Sequence, residues 1–167
     1  MMDKLEPNSK LPESLSKGEE VYFIGIGGTG MASVAGLAKQ MGLKVTGSDN
    51  PLYPPMSDIL ANAQISYYKP FSTQNPQKAN PKVFIVANVL SPGHEELESA
   101  LQQKIPYTSF PEFMERYIIA DKKPVVVTGT HGKTTTTSLI NHIVKSFQVD
   151  CGYMIGGLTG NYGTSYD

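Results

Sequence analysis

The stretch Val21-Tyr22-Phe23-Ile24-Gly25-Ile26-Gly27-Gly28-Thr29-Gly30-Met31 decides how the rest of the chain is read. An apolar run leads without a break into glycines spaced Gly25-x-Gly27-x-x-Gly30. In the helix predicted to follow, Met31, Val34, Ala35 and Ala38 recur at i, i+3, i+4 and i+7 and form one apolar face. A strand, a glycine turn and a helix in this order match the dinucleotide-binding pattern: the glycines allow a tight turn, close approach of a pyrophosphate and helix-on-strand packing. The helix N-terminus adds free N–H groups and a dipole that favours an anion.

Working outward, Lys44–Gly47 is predicted as the second strand, ending at Ser48-Asp49. Asp49 falls 19 residues after Gly30, where an acidic side chain can accept hydrogen bonds from a ribose or a base N–H. NAD is the default ligand for such a motif, and any diphosphate-bridged nucleotide fits the same chemistry. Ser57 is expected to cap a short helix through Ile59 and Leu60. The continuous apolar run Val83–Ala87 reads as a parallel strand covered on both faces. Ser91-Pro92 is expected to open a helix whose inner face is Leu97, Ala100 and Leu101. Tyr107-Thr108 reads as an edge strand and Phe110–Tyr117 as a last helix. The alternation predicts an α/β fold: a Rossmann-like parallel sheet with helices on both faces.

A second glycine loop follows about a hundred residues later. Gly129-Thr130-His131-Gly132-Lys133-Thr134 comes directly after the apolar run Val125–Thr128, expected as a strand, and opens a helix striped by Leu139, Ile140, Ile143, Val144 and Phe147. Gly-Lys-Thr is the working end of a P-loop, in which Lys reaches the terminal phosphates and the Thr hydroxyl ligates Mg²⁺. Val127 stands where the strict pattern has its first glycine, so the loop is a variant beginning at Gly129. The charged, proline-broken Asp121-Lys122-Lys123-Pro124 reads as a boundary. The expected organisation is a flexible leader over 1–19, a nucleotide-binding domain over 20–120, and over 121–167 the truncated start of a P-loop ATPase domain. Tyr153–Ile155 is a candidate further strand. The segment past Val149, short of partner strands, is expected to hold little fixed structure.

Composition narrows the class. The 167 residues are 40% hydrophobic with a net charge of -1, which excludes a disordered chain and gives no overall pull toward nucleic acid or an anionic membrane. Phosphate binding must come from loops. The single cysteine, Cys151, excludes an intrachain disulfide framework and suits a reducing cytosol. The three histidines lack ligand spacing for zinc. The apolar runs are far shorter than a membrane span, and a cytoplasmic location is expected.

Gly-Thr-His-Gly-Lys-Thr-Thr-Thr after a valine strand, together with the N-terminal Gly-x-Gly-Gly-x-Gly-Met unit, resembles the Mur ligases, ATP-dependent amide ligases of bacterial peptidoglycan synthesis. The resemblance runs from Val21 to the end. His131 inside the loop points to the branch acting on UDP-N-acetylmuramate itself. Gly47-Ser48-Asp49 with Tyr53-Pro54-Pro55-Met56-Ser57, and Ile155-Gly156-Gly157-Leu158-Thr159-Gly160-Asn161, look like the members that join a murein tripeptide to that substrate in recycling. The members that add L-alanine share both loops and are the alternative, as is a non-catalytic module that binds UDP-muramyl compounds.

The resemblance implies ATP and Mg²⁺ as cofactors, and UDP-N-acetylmuramate and a murein peptide as partners. Gly27, Gly28, Thr29 and Gly30 would hold the UDP diphosphate, Ser48 and Asp49 would contact the uridine, and Asn88 to Ser91 would lie near the substrate crevice. Gly129, Thr130, His131, Gly132, Lys133, Thr134 and Thr135 would form the ATP site, with Lys133 as its catalytic cation and Thr134 on the metal. The implied chemistry is phosphorylation of the lactyl carboxylate, then displacement of phosphate by an amine. Because the family's remaining metal ligands and amine-binding domain would fall past Asp167, these residues alone are expected not to turn over ATP.

Overall fold

The structure is a computed structural model that describes residues 10–157, 160 and 162–167. Its centre is a sheet of four parallel strands, β1 (Glu20–Ile24), β2 (Lys44–Ser48), β3 (Val83–Val86) and β4 (Tyr107–Ser109), in the order β2-β1-β3-β4. Helices α1 (Thr29–Gln40), α2 (Met56–Asn62), α3 (Asn75–Lys78) and α4 (Glu95–Gln102) connect them; α5 (Phe110–Phe113) follows β4 and is extended by a π-helical turn, Met114–Ile118. Tyr68 adds a single parallel bridge to Ser48 at the β2 edge.

Successive strand residues point to opposite faces, so β1 divides its side chains between two cores. Val21 and Phe23 pack with Val34 and Ala38 of α1, Ile59 and Leu60 of α2, and Phe113. Tyr22 and Ile24 pack with Phe84, Leu97 and Ala100 on the α4 side. All four residues of β3 are buried, the state expected of a strand covered on both faces. Fully buried Phe23, edge-on to Phe113 with ring centroids 6.0 Å apart, joins strand to helix; truncation to Ala at such a site costs about 3–5 kcal/mol.

Several expectations are corrected. α2 is capped at Pro55 with no side-chain hydrogen bond, and Ser57 lies inside the helix, bonded to Asp58. α4 begins at Glu95, not at Ser91-Pro92; the His94 ring nitrogen accepts the Leu97 N–H, while Ser91 closes a turn with the His94 N–H. Within the expected flexible leader, residues 1–9 lie outside the described residues, but Leu11 is buried in the core and the Pro12 carbonyl accepts the Tyr117 hydroxyl at 2.7 Å.

Val125–Thr128 is not a strand: Val125 and Val126 are about three-quarters exposed, and an extended run gains a ladder only where another strand can pair with it. Helix α6 (Lys133–Ser146) forms as expected, with Leu139, Ile143 and Phe147 of its apolar stripe exposed. Tyr153–Ile155 forms not a strand but one antiparallel bridge, Met154 to Tyr166, within a short hairpin.

That hairpin is packed rather than loose. Ser165 is fully buried and its hydroxyl meets that of Ser33 on α1 at 2.8 Å. The Tyr166 ring lies directly over Gly36, filling the space a Cβ would need. Lys145 on α6 pairs with Asp167 at 2.7 Å, and this contact holds its ammonium pKa above the ordinary lysine value. Leu158, Thr159 and Asn161 of the C-terminal string lie outside the described residues.

Candidate functional site

The carboxyl ends of β1 and β3 are where the chain's connections part, α1 leaving toward one face and α4 toward the other. Open parallel sheets bind ligands in the crevice at such a point. Here the crevice is a cleft of about 460 Å³ lined by the first glycine loop, by Asp49, Asn50 and Leu52 after β2, and by Ala87 to Leu90 after β3. Phe71 and Phe110 complete its walls.

The loop is held by its neighbour strand. The Ser48 carbonyl accepts the N–H groups of Gly25 and Ile26 at 2.9 and 3.0 Å, and Gly25 turns through φ +82° with Ala87 packed where a Cβ would stand. Gly28 caps α1 in an extended conformation with no side-chain hydrogen bond and no acidic residue in the first turn. The first amides of α1 are therefore uncapped by side chains, as an anion site requires. The Asp49 carboxylate reaches across to the loop, its Oδ2 accepting the Gly27 N–H at 2.7 Å and its Oδ1 the Asn50 N–H at 2.7 Å.

Of the residues expected at this site, the fold brings Gly27, Gly28, Gly30, Asp49 and Asn88 together around the cleft. Thr29 opens α1 on the exposed side, and its carbonyl accepts the Ser33 hydroxyl. Ser91 is exposed beyond the lining. Ser48 is fully buried and serves the loop through its carbonyl. Sequence reasoning passed over Leu52 and Phe71. An aromatic in a loop carries no local signal of where the chain will fold it.

The second loop stands apart from this cleft. All of Gly129 to Thr135 is exposed, and none of it lines the cleft. Gly132 caps α6 in a left-handed conformation with no side-chain partner. The Lys133 ammonium donates to the loop's own carbonyls, Gly129 at 2.6 Å and Thr130 at 3.2 Å. His131 Nδ1 lies 3.2 Å from the Thr130 hydroxyl. An uncapped helix start with a cation curled over it fits a nucleotide phosphate. For Mg²⁺ these residues offer the Thr134 hydroxyl; among the described residues no three His, Cys, Asp or Glu side chains gather. No helix among the described residues is long and apolar enough to cross a membrane.

Behind the cleft wall lies a buried polar group that sequence reasoning did not identify. Glu96, fully buried on α4, accepts the Tyr22 hydroxyl at 3.0 Å, the Ser72 N–H at 2.7 Å and the Asn75 side-chain amide at 3.1 Å. Burial pushes the Tyr22 phenol far above its ordinary pKa, and the Glu96 charge adds to the shift.

The sequence profile described as "Mur ligase family, catalytic domain" matches residues 20–122. The chain belongs to the Mur ligase family. It is 38% identical over 147 residues, 88% of its length, to a Haemophilus influenzae protein named UDP-N-acetylmuramate–L-alanyl-γ-D-glutamyl-meso-2,6-diaminoheptandioate ligase, and covers 32% of it. The chain thus spans about a third of the length of the curated relatives it matches. Among solved structures, a murein peptide ligase from Psychrobacter arcticus superposes with a TM-score of 0.77 at 38% identity, over 84% of this chain and 29% of that one. A UDP-N-acetylmuramate-alanine ligase from Thermotoga maritima gives 0.80 at 27% identity, over 89% of this chain and 34% of that one. The parallel α/β fold of this Mur ligase chain is the fold of those proteins' matching portion.

Proposed function

We propose that the cleft at the first glycine loop binds the UDP part of UDP-N-acetylmuramate. We further propose that the chain carries the substrate-binding domain and the ATP phosphate loop of a ligase joining a murein tripeptide to that substrate. The observation that carries this reading is the pairing, in one chain, of a switch-point cleft faced by uncapped α1 amides with a separate Gly-Lys-Thr helix start. Two phosphate sites suit a reaction in which one phosphorylated ligand activates another. Relatives named for tripeptide ligation support the choice of amine.

In this reading the α1 amides and the Gly27–Gly28 backbone hold the diphosphate, Asp49 and Asn88 orient the nucleotide-sugar, and Phe71 and Leu52 wall its apolar parts. At the second loop Lys133, now on the Gly129 and Thr130 carbonyls, would hold the ATP phosphates, and the Thr134 hydroxyl would hold Mg²⁺, which would supply charge neutralisation on the transferring phosphoryl group. His131 and Thr135 flank that site. Residues 20–120 form the nucleotide-sugar domain and 121–167 the start of the ATP-binding one.

The test is phosphate release by the full-length protein supplied with ATP, Mg²⁺ and UDP-N-acetylmuramate, adding L-alanyl-γ-D-glutamyl-meso-diaminopimelate or L-alanine. Tripeptide-dependent release is expected. Release with L-alanine alone would move the protein to the alanine-adding branch, and none with either would refute the ligase reading.

A further inference from the structure

The carboxylate of Glu96 occupies a place where burial works against it. Removing a carboxylate from water costs several kcal/mol, and well-packed apolar residues often replace such groups without loss of stability. Three donors compensate it here, and what they belong to is informative. Ser72 lies in the loop that carries Phe71, Asn75 opens α3 where that loop ends, and Tyr22 lies on the central strand β1. One side chain therefore ties that loop to the middle of the sheet.

The rest of the loop is held in the same direction. The Asn75 amide also donates to the Pro70 carbonyl at 3.0 Å, and Ser99, one turn along α4 from Glu96, donates to the Thr73 carbonyl at 2.7 Å. His94, the cap of α4, meets the Phe71 ring edge-on with centroids 4.7 Å apart. At the loop's other end, the Tyr68 carbonyl accepts the Asp49 N–H at 3.1 Å. The segment that runs from Tyr68, bonded to Asp49, through Phe71 to Asn75 is thus pinned at its far end by Glu96, and both Asp49 and Phe71 stand in the cleft wall.

We propose that Glu96 is a positioning residue for the nucleoside end of the ligand, fixing the segment from Pro70 to the start of α3 at Asn75 so that Phe71 forms a rigid aromatic wall of the cleft. The assignment rests on the nucleotide reading of the cleft. It separates two parts of one ligand: the diphosphate sits on α1 amides that Glu96 does not touch, whereas the base and ribose meet the wall that it sets.

The experiment is isothermal titration of the full chain with UDP and, separately, inorganic pyrophosphate. Glu96→Gln keeps the size and one good acceptor but turns a donor toward donors; Ser99→Ala is a milder second variant that leaves the carboxylate in place. Glu96→Gln is expected to weaken UDP about tenfold and pyrophosphate less than twofold, with Ser99→Ala showing the same selectivity at smaller amplitude. In a Phe71→Ala background the Glu96→Gln effect on UDP should largely vanish, which a merely destabilising substitution would not produce. UDP affinity unchanged in both variants, equal loss for both ligands, or full additivity with Phe71→Ala would overturn the assignment while leaving the nucleotide reading standing. Failure of the unsubstituted chain to bind UDP would overturn both.

Discussion

The Asp49 carboxylate accepts the Gly27 amide at 2.7 Å, so the acidic residue ending β2 is bonded to the glycine loop that follows β1. A negative charge thus sits on one of the N–H groups that a diphosphate would use. Asp49 braces the loop, and in the proposed reading an anion bound there would compete for part of that bond.

Asp49→Ala therefore has two opposed effects. Loss of a charge-assisted hydrogen bond at a half-buried site should lower stability by about 1–2 kcal/mol in urea denaturation. Inorganic pyrophosphate, relieved of the facing carboxylate, should bind more tightly, while UDP, deprived of a nucleoside contact, should bind more weakly. Titration of both ligands checks the divergence.

Lys133→Ala should reduce ATP affinity at least tenfold and leave UDP affinity unchanged. Because Gly129 to Thr135 are exposed, the substitution should shift unfolding by no more than about 0.5 kcal/mol. In the full-length protein, tripeptide-dependent phosphate release should be lost.

Gly36→Ala tests the hairpin's seat. Alanine favours the helix by about 1 kcal/mol over glycine, yet its Cβ would collide with the Tyr166 ring. The expected outcome is a domain of undiminished melting temperature in which limited proteolysis cuts faster beyond Val149.

Alkaline pH should destabilise the fold through its tyrosines. Burial raises the pKa of Tyr22, Tyr107, Tyr117 and Tyr166 above the ordinary value of 10.0. A group whose proton is held more tightly in the folded state contributes stability that is fully present below its unfolded pKa. That stability is lost as pH rises from about 10 toward the folded value, at up to about 1.4 kcal/mol per pH unit for each group. Tyr22→Phe should make this decline shallower by one proton, measured by urea denaturation at stepped pH, and should itself cost stability at neutral pH by removing one donor to Glu96.

What could be read beforehand follows from what each feature depends on. β1 and β3 were legible because a strand covered on both faces is apolar throughout, and the two loops because glycines and Gly-Lys-Thr report on their own backbone. The cap of α4 was misplaced since Ser91-Pro92 satisfies the local rule, while His94 wins through its contacts with Leu97 and Phe71. Val125–Thr128 has strand composition, but pairing depends on a neighbour that no local pattern announces. Glu96 looks in sequence like a solvated charge in a helix's first turn. Only the long-range meeting with Tyr22, Ser72 and Asn75 buries it. Ser33, Gly36, Ser165 and Tyr166 are equally silent until α1 and the hairpin are placed together.

The central claim is that the first glycine loop receives a uridine diphosphate sugar. Isothermal titration of the chain with UDP-N-acetylmuramate and with NADH tests it most directly. The account predicts one UDP-N-acetylmuramate bound per chain, displaced by UDP, with no heat from NADH. Binding of NADH with none of UDP-N-acetylmuramate would contradict it.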